Sequence, residues 1–361
     1  MLNLNPGFMG GTEEYAAGLM REVVSRGSET PAGGSAIVAL TTVAGASFAI
    51  EEVEKRVIRG LPGGRSLARR MRVLFVASAR LPLLRRYLAD ADVVFYPFTA
   101  MMPFVTSIPT CVLVHDLQHL ELPRNFTVAQ RVYRSLTYNR RIIHADAIVA
   151  VSEYTRASIM HGLRIRGDRI QVIPPGIDGK FFTRRDASVS APIDQFLYYP
   201  ARGLPHKNHV TLFEAFARVR ESRPTLRLVL TGGDGELLGP LPPGVVHEGR
   251  VSRERVRELY QTTSALVFAS AFEGYGLPPL EAMACGAPVA CSNAGSLPEV
   301  CGDAVEYFHP LSATDMANAI ESVLGNSEDY RERGYQHVAT RTIAQSALEY
   351  QKLWNSLAKS R

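Results

Sequence analysis

Phe272-Glu273-Gly274-Tyr275-Gly276-Leu277-Pro278-Pro279-Leu280-Glu281-Ala282-Met283-Ala284-Cys285-Gly286 decides how the chain around it folds. The residues just before it, Ala265-Leu266-Val267-Phe268, form a continuous apolar run of the kind a strand buried on both faces requires. Gly274 and Gly276 let the backbone turn sharply, Pro278 and Pro279 suit the first helical positions, and Gly286 suits the helix end. The stretch therefore reads as strand, tight turn and short helix. Two carboxylates, Glu273 and Glu281, flank the turn beside a helix N-terminus, where backbone N–H groups and the helix dipole favour a phosphate or sugar-phosphate.

The same alternation continues in both directions. Upstream lie a strand at 196–199, a helix at 209–221, a strand at 226–230, a short strand at 245–246 and a helix at 252–262; downstream lie a strand at 288–291 and amphipathic helices at 313–324 and 341–358. The first half shows apolar strand runs at 36–40, 93–96, 111–114, 147–151 and 170–173, with helices from Thr12 as N-cap to Arg26, over 65–89, at 127–143 and at 153–162. A strand ending at Leu2-Asn3-Leu4 is unusually short, so either it is abbreviated or the coding sequence starts upstream. Strands alternating with helices predict α/β architecture with doubly wound parallel sheets. Pro175 to Asp194, with its prolines, glycine and Ser/Ala/Pro tract, reads as a linker. The expected organisation is two Rossmann-like domains, 1–178 on the acceptor side and 179–340 for the nucleotide sugar, facing across a cleft. The helix near 341–361 is expected to pack back on the first domain.

Composition narrows the class. At 361 residues the chain exceeds one ordinary core and suits two domains of roughly 150–180 residues. Hydrophobic content of 46% and charged content of 21% fit a globular protein, and apolar patches such as 73–77 fall far short of the roughly 18 residues a membrane helix needs. No signal peptide is evident. Cys111, Cys285, Cys291 and Cys301 lack paired or metal-ligand spacing, which predicts reduced buried thiols in a cytoplasmic protein. Charge is uneven: residues 1–180 carry 22 Lys+Arg against 15 Asp+Glu, and residues 181–361 carry 18 against 20. Ten cations between Lys55 and Arg86, interleaved with Leu, Met and Phe, would suit peripheral contact with anionic lipid at the inner face of the plasma membrane, or simply a solvated helix face. No recognition module accompanies the charge, so nucleic acid is not an expected partner.

The Glu-x7-Glu spacing by itself carries no information; the Gly-x-Gly-Leu-Pro between the acids and the Gly-x-Pro-Val after them do. Arg202 and Lys207 follow the 196–199 strand and precede a helix, a placement suited to a diphosphate on which charge accumulates. Gly10-Gly11 sits at the first turn, and His115-Asp116 directly follows an apolar strand. Gly232, in the loop Thr231-Gly232-Gly233-Asp234-Gly235, and Arg250-Val251 follow later strands. That loop imitates a dinucleotide fingerprint, but the acidic residue expected on the next strand is missing.

Taken together these motifs resemble family-4 retaining glycosyltransferases of the GT-B fold. The resemblance implies transfer of a hexose from a nucleotide diphosphate sugar to an acceptor hydroxyl with retention, in cell-surface polysaccharide or glycolipid assembly. GDP-mannose is the first donor it implies, followed by UDP- or dTDP-sugars; the acceptor is a glycan or lipid-linked glycan. It assigns Arg202 and Lys207 to the leaving diphosphate, Glu273 to sugar hydroxyls, Glu281 to the ribose, and His115 to the sugar pocket. Backbone at Gly10, Gly11, Gly274, Tyr275, Gly276 and Leu277 would approach the donor, and Gly232, Arg250 and Val251 would hold the base. No cofactor and no metal is expected, since no Asp-x-Asp motif is present. Two alternatives stay open: a nucleotide-sugar epimerase of the same fold, and a non-catalytic sugar-nucleotide-binding subunit.

Overall fold

The computed structural model describes residues 11–29, 36–42, 53–58, 86–101, 105, 107–184 and 195–360. The chain divides into two compact units, Met1–Gly176 with Ile343–Arg361, and Ile177–Thr342.

In the first unit, β1 (Val38–Thr42) and β2 (Glu54–Ile58) form a parallel pair, and β3 (Val94–Tyr96), β4 (Thr110–Val114), β5 (Ala147–Ala150) and β6 (Ile170–Val172) form a four-stranded parallel sheet in that order. Every residue of β4 and β5 is buried, as their unbroken apolar sequence requires. The helix Glu153–Leu163 starts on Ser152, whose hydroxyl accepts from Thr155 N at 3.0 Å. The helical run after Thr127 comprises Val128–Arg134, a π-helical turn Ser135–Asn139 and Arg140–Ile142. Ile343–Lys359 packs on Gly11–Glu29, where Gly18 lets Ile343 approach so closely that a Cβ there would lie 2.7 Å from its Cδ1. Phe95 of β3 stacks on Tyr350 and Trp354 of that last helix, with ring centroids 5.3 and 5.0 Å apart.

Several local expectations need correcting. The first helix begins at Gly11, so Thr12 lies inside it and not at its cap. The strand expected at 36–40 runs Val38–Thr42. Lys55 and Arg56 lie on β2, a strand the sequence reading missed, and Arg56 forks onto Asp90 at 2.5 and 2.6 Å. The strand ending at Leu4, Gly10, most of the 65–89 helix and the arginines from Arg59 to Arg85 lie outside the described residues.

The second unit is a six-stranded parallel sheet in the order β12-β11-β10-β7-β8-β9, comprising β7 (Phe196–Pro200), β8 (Arg227–Thr231), β9 (Val245–His247), β10 (Ala265–Phe268), β11 (Val289–Ser292) and β12 (Glu306–Phe308). The chain winds outward from β7 through β8 and β9, then returns to β7's other side with β10 and winds the opposite way. The stretch read as a linker is pinned into this unit as far as it is described: Ile177 bridges to Thr342, and Asp178 pairs with Arg253 at 2.9 Å. All four cysteines are buried and unpaired.

Ser346 holds the last helix to the end of the first unit's chain, accepting from Gly176 N at 2.9 Å and donating to Pro174 O at 2.8 Å. Both backbone groups lose their partner in S346A, so the first unit's denaturant midpoint should fall by the equivalent of about 1–3 kcal/mol. An unchanged urea titration would show that the two bonds contribute nothing.

Candidate active site

The strand order of the second sheet reverses between β7 and β10, and in such sheets the loops at the carboxyl ends of the two diverging strands border a crevice. These loops are knitted together by backbone bonds. Ala201 N donates to Thr231 O at 2.9 Å, Gly203 N to Gly233 O at 3.0 Å, Gly232 N to Gly249 O at 2.7 Å and Ala271 N to His206 O at 2.8 Å. Gly232 has φ +135°, and a Cβ there would stand 2.7 Å from the Ala201 carbonyl oxygen, so no other residue fits.

Lys207, in the loop after β7, meets Glu273, in the loop after β10, with Nζ 2.5 Å from Oε1; the side chains are 18% and 16% exposed. The lysine's backbone is fixed from below. Tyr199 donates its hydroxyl to the Lys207 carbonyl at 2.8 Å and lies 3.1 Å from the Ser270 hydroxyl, and burial raises its pKa well above the ordinary value, so it stays a donor. Asn208, in the left-handed region, donates to Ala269 O at 3.2 Å and Pro310 O at 2.5 Å, tying the β7 loop to the loops after β10 and β12. Glu273's own carbonyl accepts from Ser296 N at 3.2 Å, and Gly295, at φ +61°, lies so close that a Cβ would sit 2.5 Å from it.

Arg202 presents Nε and Nη2 to Asp234 Oδ2, each at 2.6 Å. The Arg250 guanidinium lies over Gly233, where a Cβ would be 2.8 Å from Nη2, and Val251 follows it after β9. Each of the two cations expected at a diphosphate is therefore matched with its own carboxylate. Gly276, at φ +104°, caps the helix Leu277–Ala284. Pro278 and Pro279 occupy its second and third positions, not its first, so two of the N–H groups that a helix start usually offers are absent. Anion attraction here rests more on side-chain cations than on this terminus. Glu281, on the same helix, accepts from the buried Tyr260 hydroxyl at 3.1 Å, and Tyr260 packs edge-to-face with Tyr198 at 5.4 Å between ring centroids.

In the first unit, His115 directly follows β4. Its backbone N donates to the Thr99 hydroxyl at 3.1 Å, and its Nε2 lies 2.7 Å from Pro97 O. A carbonyl only accepts, so Nε2 carries the proton and Nδ1 is the acceptor of the neutral ring. Burial lowers this histidine's pKa, opposed by the Pro97 bond and by Asp116, so the ring is neutral at pH 7. Gly11 opens the first helix with nothing within 4 Å of where a Cβ would stand.

The second unit thus places Arg202, Lys207, Gly232, Arg250, Val251, Glu273, Gly274, Tyr275, Gly276, Leu277 and Glu281 in the segments that follow the carboxyl ends of β7 to β10 of one sheet; Gly11 and His115 belong to the first unit. Sequence reasoning assigned no role of their own to Asn208, Asp234, Tyr260 or Ser296, whose roles appear only through partners far along the chain. Among the described residues no cluster of three or more His, Cys, Asp or Glu is arranged to hold a metal.

Two parallel α/β units, one bearing a cationic strand-end site, define the GT-B class. Sucrose-phosphate synthase (tll1590) from Thermosynechococcus elongatus shares the fold at TM-score 0.81 and 19% identity over 100% of this chain and 98% of that one. Anabaena Alr3699/HepE, solved in complex with UDP-glucose, does so at TM-score 0.70 and 16% identity over 99% and 98%. The model for Glycosyltransferase Family 4 matches residues 9–181 and that for glycosyl transferases group 1 matches residues 182–337. The chain belongs to the family-4 glycosyltransferases. One curated relative, O-antigen chain mannosyltransferase B of Escherichia coli, is 30% identical over 207 residues, a match covering 53% of this chain and 54% of that protein. The chain thus spans about half the length of that relative.

His209, beside Lys207, carries a pH signature. Burial first, then the neighbouring Lys207, His247 and His206, push its pKa down to about 4 from 6.5. Above pH 6.5 it is neutral folded and unfolded, and contributes nothing to pH dependence. As pH falls from 6.5 towards 4 only the unfolded state takes up the proton, so stability falls by about 3 kcal/mol across that window. Denaturation of wild type and H209Q at pH 7.5 and 4.5 checks this: the variant should lose distinctly less stability on acidification, and equal losses would refute the assignment.

Proposed function

We propose that the chain is a retaining, metal-independent hexosyltransferase. It moves a sugar from a nucleotide diphosphate sugar to an acceptor hydroxyl in cell-surface polysaccharide or glycolipid assembly, with GDP-mannose the first donor to test and UDP- or dTDP-sugars next. The observation that carries this reading is the Lys207–Glu273 pair across the reversal point of the sheet. Both partners are mostly withdrawn from water, so a bound diphosphate would draw Lys207 away from Glu273 and release that carboxylate for sugar hydroxyls. Arg202 and Lys207 would stabilise charge gathering on the departing diphosphate. That diphosphate would help take the acceptor's proton. Glu281, steadied by Tyr260, would accept from the ribose hydroxyls. Gly232, Arg250 and Val251 would border the base, and the backbone from Gly274 to Leu277 would approach the phosphates. In the first unit the reading assigns Gly10 and Gly11 to phosphate and His115 to the transferred sugar, its Nδ1 acting as an acceptor. No cofactor takes part. The mannosyltransferase relative supports the donor choice, and the UDP-glucose complex of a fold neighbour supports a nucleotide-sugar in general.

A thermal-shift panel of GDP, UDP, dTDP and ADP tests the donor, because a ligand that binds only the folded state raises its stability in step with affinity. GDP should give the largest shift. K207A and E273A should still fold, with a lowered melting temperature because each leaves a largely buried charge without its partner, while transfer to a glycan acceptor falls at least a hundredfold; normal turnover in either would sink the site assignment. An epimerase would instead convert donor alone and release no additional nucleotide when acceptor is supplied.

For the acceptor we propose a lipid-linked glycan met at an anionic cytoplasmic membrane face. No helix among the described residues is long and apolar enough to cross a membrane. Residues 123–145, however, carry five arginines (Arg124, Arg131, Arg134, Arg140, Arg141) and no carboxylate. Val128 and Val132 stand one helical turn apart, 67% and 51% exposed, with Arg131 beside them. This is a sharper locus than the basic stretch at 55–86. The protein should sediment with phosphatidylglycerol vesicles and not with phosphatidylcholine vesicles, and V128D/V132D should bind at least tenfold more weakly. Equal partition of the variant would remove this helix from the surface.

A further inference from the structure

From the Arg202–Asp234 contact we infer that Asp234 is a positioning residue, which fixes the plane of the Arg202 guanidinium so that one edge faces a bound diphosphate. The inference rests on the donor reading above and adds a residue that reading does not use.

The geometry is specific. One oxygen of Asp234 takes both Nε and Nη2, each at 2.6 Å, so the carboxylate occupies the side edge of the guanidinium. An anion therefore engages Arg202 through the opposite edge, formed by Nη1 and the second N–H of Nη2. Arginine's planar fork turns as a unit, so gripping one edge sets the direction of the other.

Asp234 is itself held. Its backbone lies in the left-handed region at φ 62°, ψ 28°, where Asp is among the side chains best tolerated. Gly203 N donates to the carbonyl of Gly233, and Gly203 packs so tightly on Asp234 that a Cβ would stand 2.1 Å from the Asp234 carbonyl oxygen. The Asp234 carbonyl also accepts from Leu237 N at 3.0 Å. The loop after β8 thus delivers the carboxylate to the arginine of the loop after β7, with the two backbones in direct contact.

Charge and orientation make opposite predictions. A carboxylate beside a cation cancels part of its pull on an anion, so on charge alone D234A should bind a nucleoside diphosphate more tightly. If orientation decides, D234A, which removes the gripping oxygen together with the charge, should bind it more weakly. D234N, whose amide oxygen still accepts from Nε and Nη2, keeps the grip without the charge and should bind no more weakly than wild type. The test titrates GDP, UDP and dTDP into the full chain, as wild type, R202A, D234A, D234N and R202A/D234A, by calorimetry, with melting temperatures measured alongside.

The expected result is that R202A weakens binding of the preferred diphosphate at least tenfold and D234A at least fivefold, with D234A melting within a few degrees of wild type and D234N restoring the binding. The double variant R202A/D234A should bind no more weakly than R202A, because Asp234 acts only through Arg202. Unchanged or tighter binding by D234A overturns the inference, as do losses that multiply in the double variant. If D234A does not fold, D234E carries the carboxylate on a longer arm and must show the weakening instead. Binding of none of the three diphosphates by wild type overturns the donor reading and this inference together. An effect of R202A without one of D234A overturns this inference alone.

Discussion

Parallel strands joined by right-handed crossovers leave their sheet on one face while the chain winds in one direction, and on the other face once the winding reverses. In the second unit the reversal falls between β7 and β10, two hydrogen-bonded neighbours. Their following helices cannot cover the same face, so the loops above both strand ends are left to border a ligand. Everything in the site follows from that constraint. Lys207 comes from one loop and Glu273 from the other, and they meet because the strands beneath them are adjacent.

Setting a lysine against a glutamate where water is mostly excluded is costly unless geometry and surrounding hydrogen bonds compensate. The compensation is in the scaffold. Tyr199, near the carboxyl end of β7, holds the Lys207 carbonyl, and Asn208 fastens the same loop to two others. Gly295 and Ser296 press on the backbone of Glu273 from the next loop. A pair so supported does not drift when a ligand replaces one partner, and the carboxylate it leaves behind stays aimed.

Reading the chain without coordinates works where the physics is local. Buried parallel strands such as Cys111-Val112-Leu113-Val114 and Phe196-Leu197-Tyr198-Tyr199 announce themselves by unbroken apolarity, and Gly276 and Gly286 mark turns that only a left-handed backbone makes. It fails at edges. Glu54-Lys55-Arg56-Val57-Ile58 is a strand that looks like a charged helix face, and Glu306-Tyr307-Phe308 is too short to show a period; among the described residues each is the outermost strand of its sheet, where charge discourages pairing with other chains. It fails again for partners. Asp234 reads as a loop residue until Arg202, 32 positions earlier, is seen against it, and Tyr260 reads as core until Glu281 accepts its hydroxyl. The acids and cations of the site were legible, while the residues that aim them were not.

The last helix, Ile343–Lys359, covers Phe95 and the first helix, yet the whole second unit is translated before it. At about 5–20 residues per second, roughly 10–40 s separate emergence of Gly176 from emergence of Trp354 on the ribosome. For that interval Phe95 lacks its aromatic cover. The second unit, contiguous in sequence, can finish folding first. Completion of the first unit therefore waits on translation of the whole second unit.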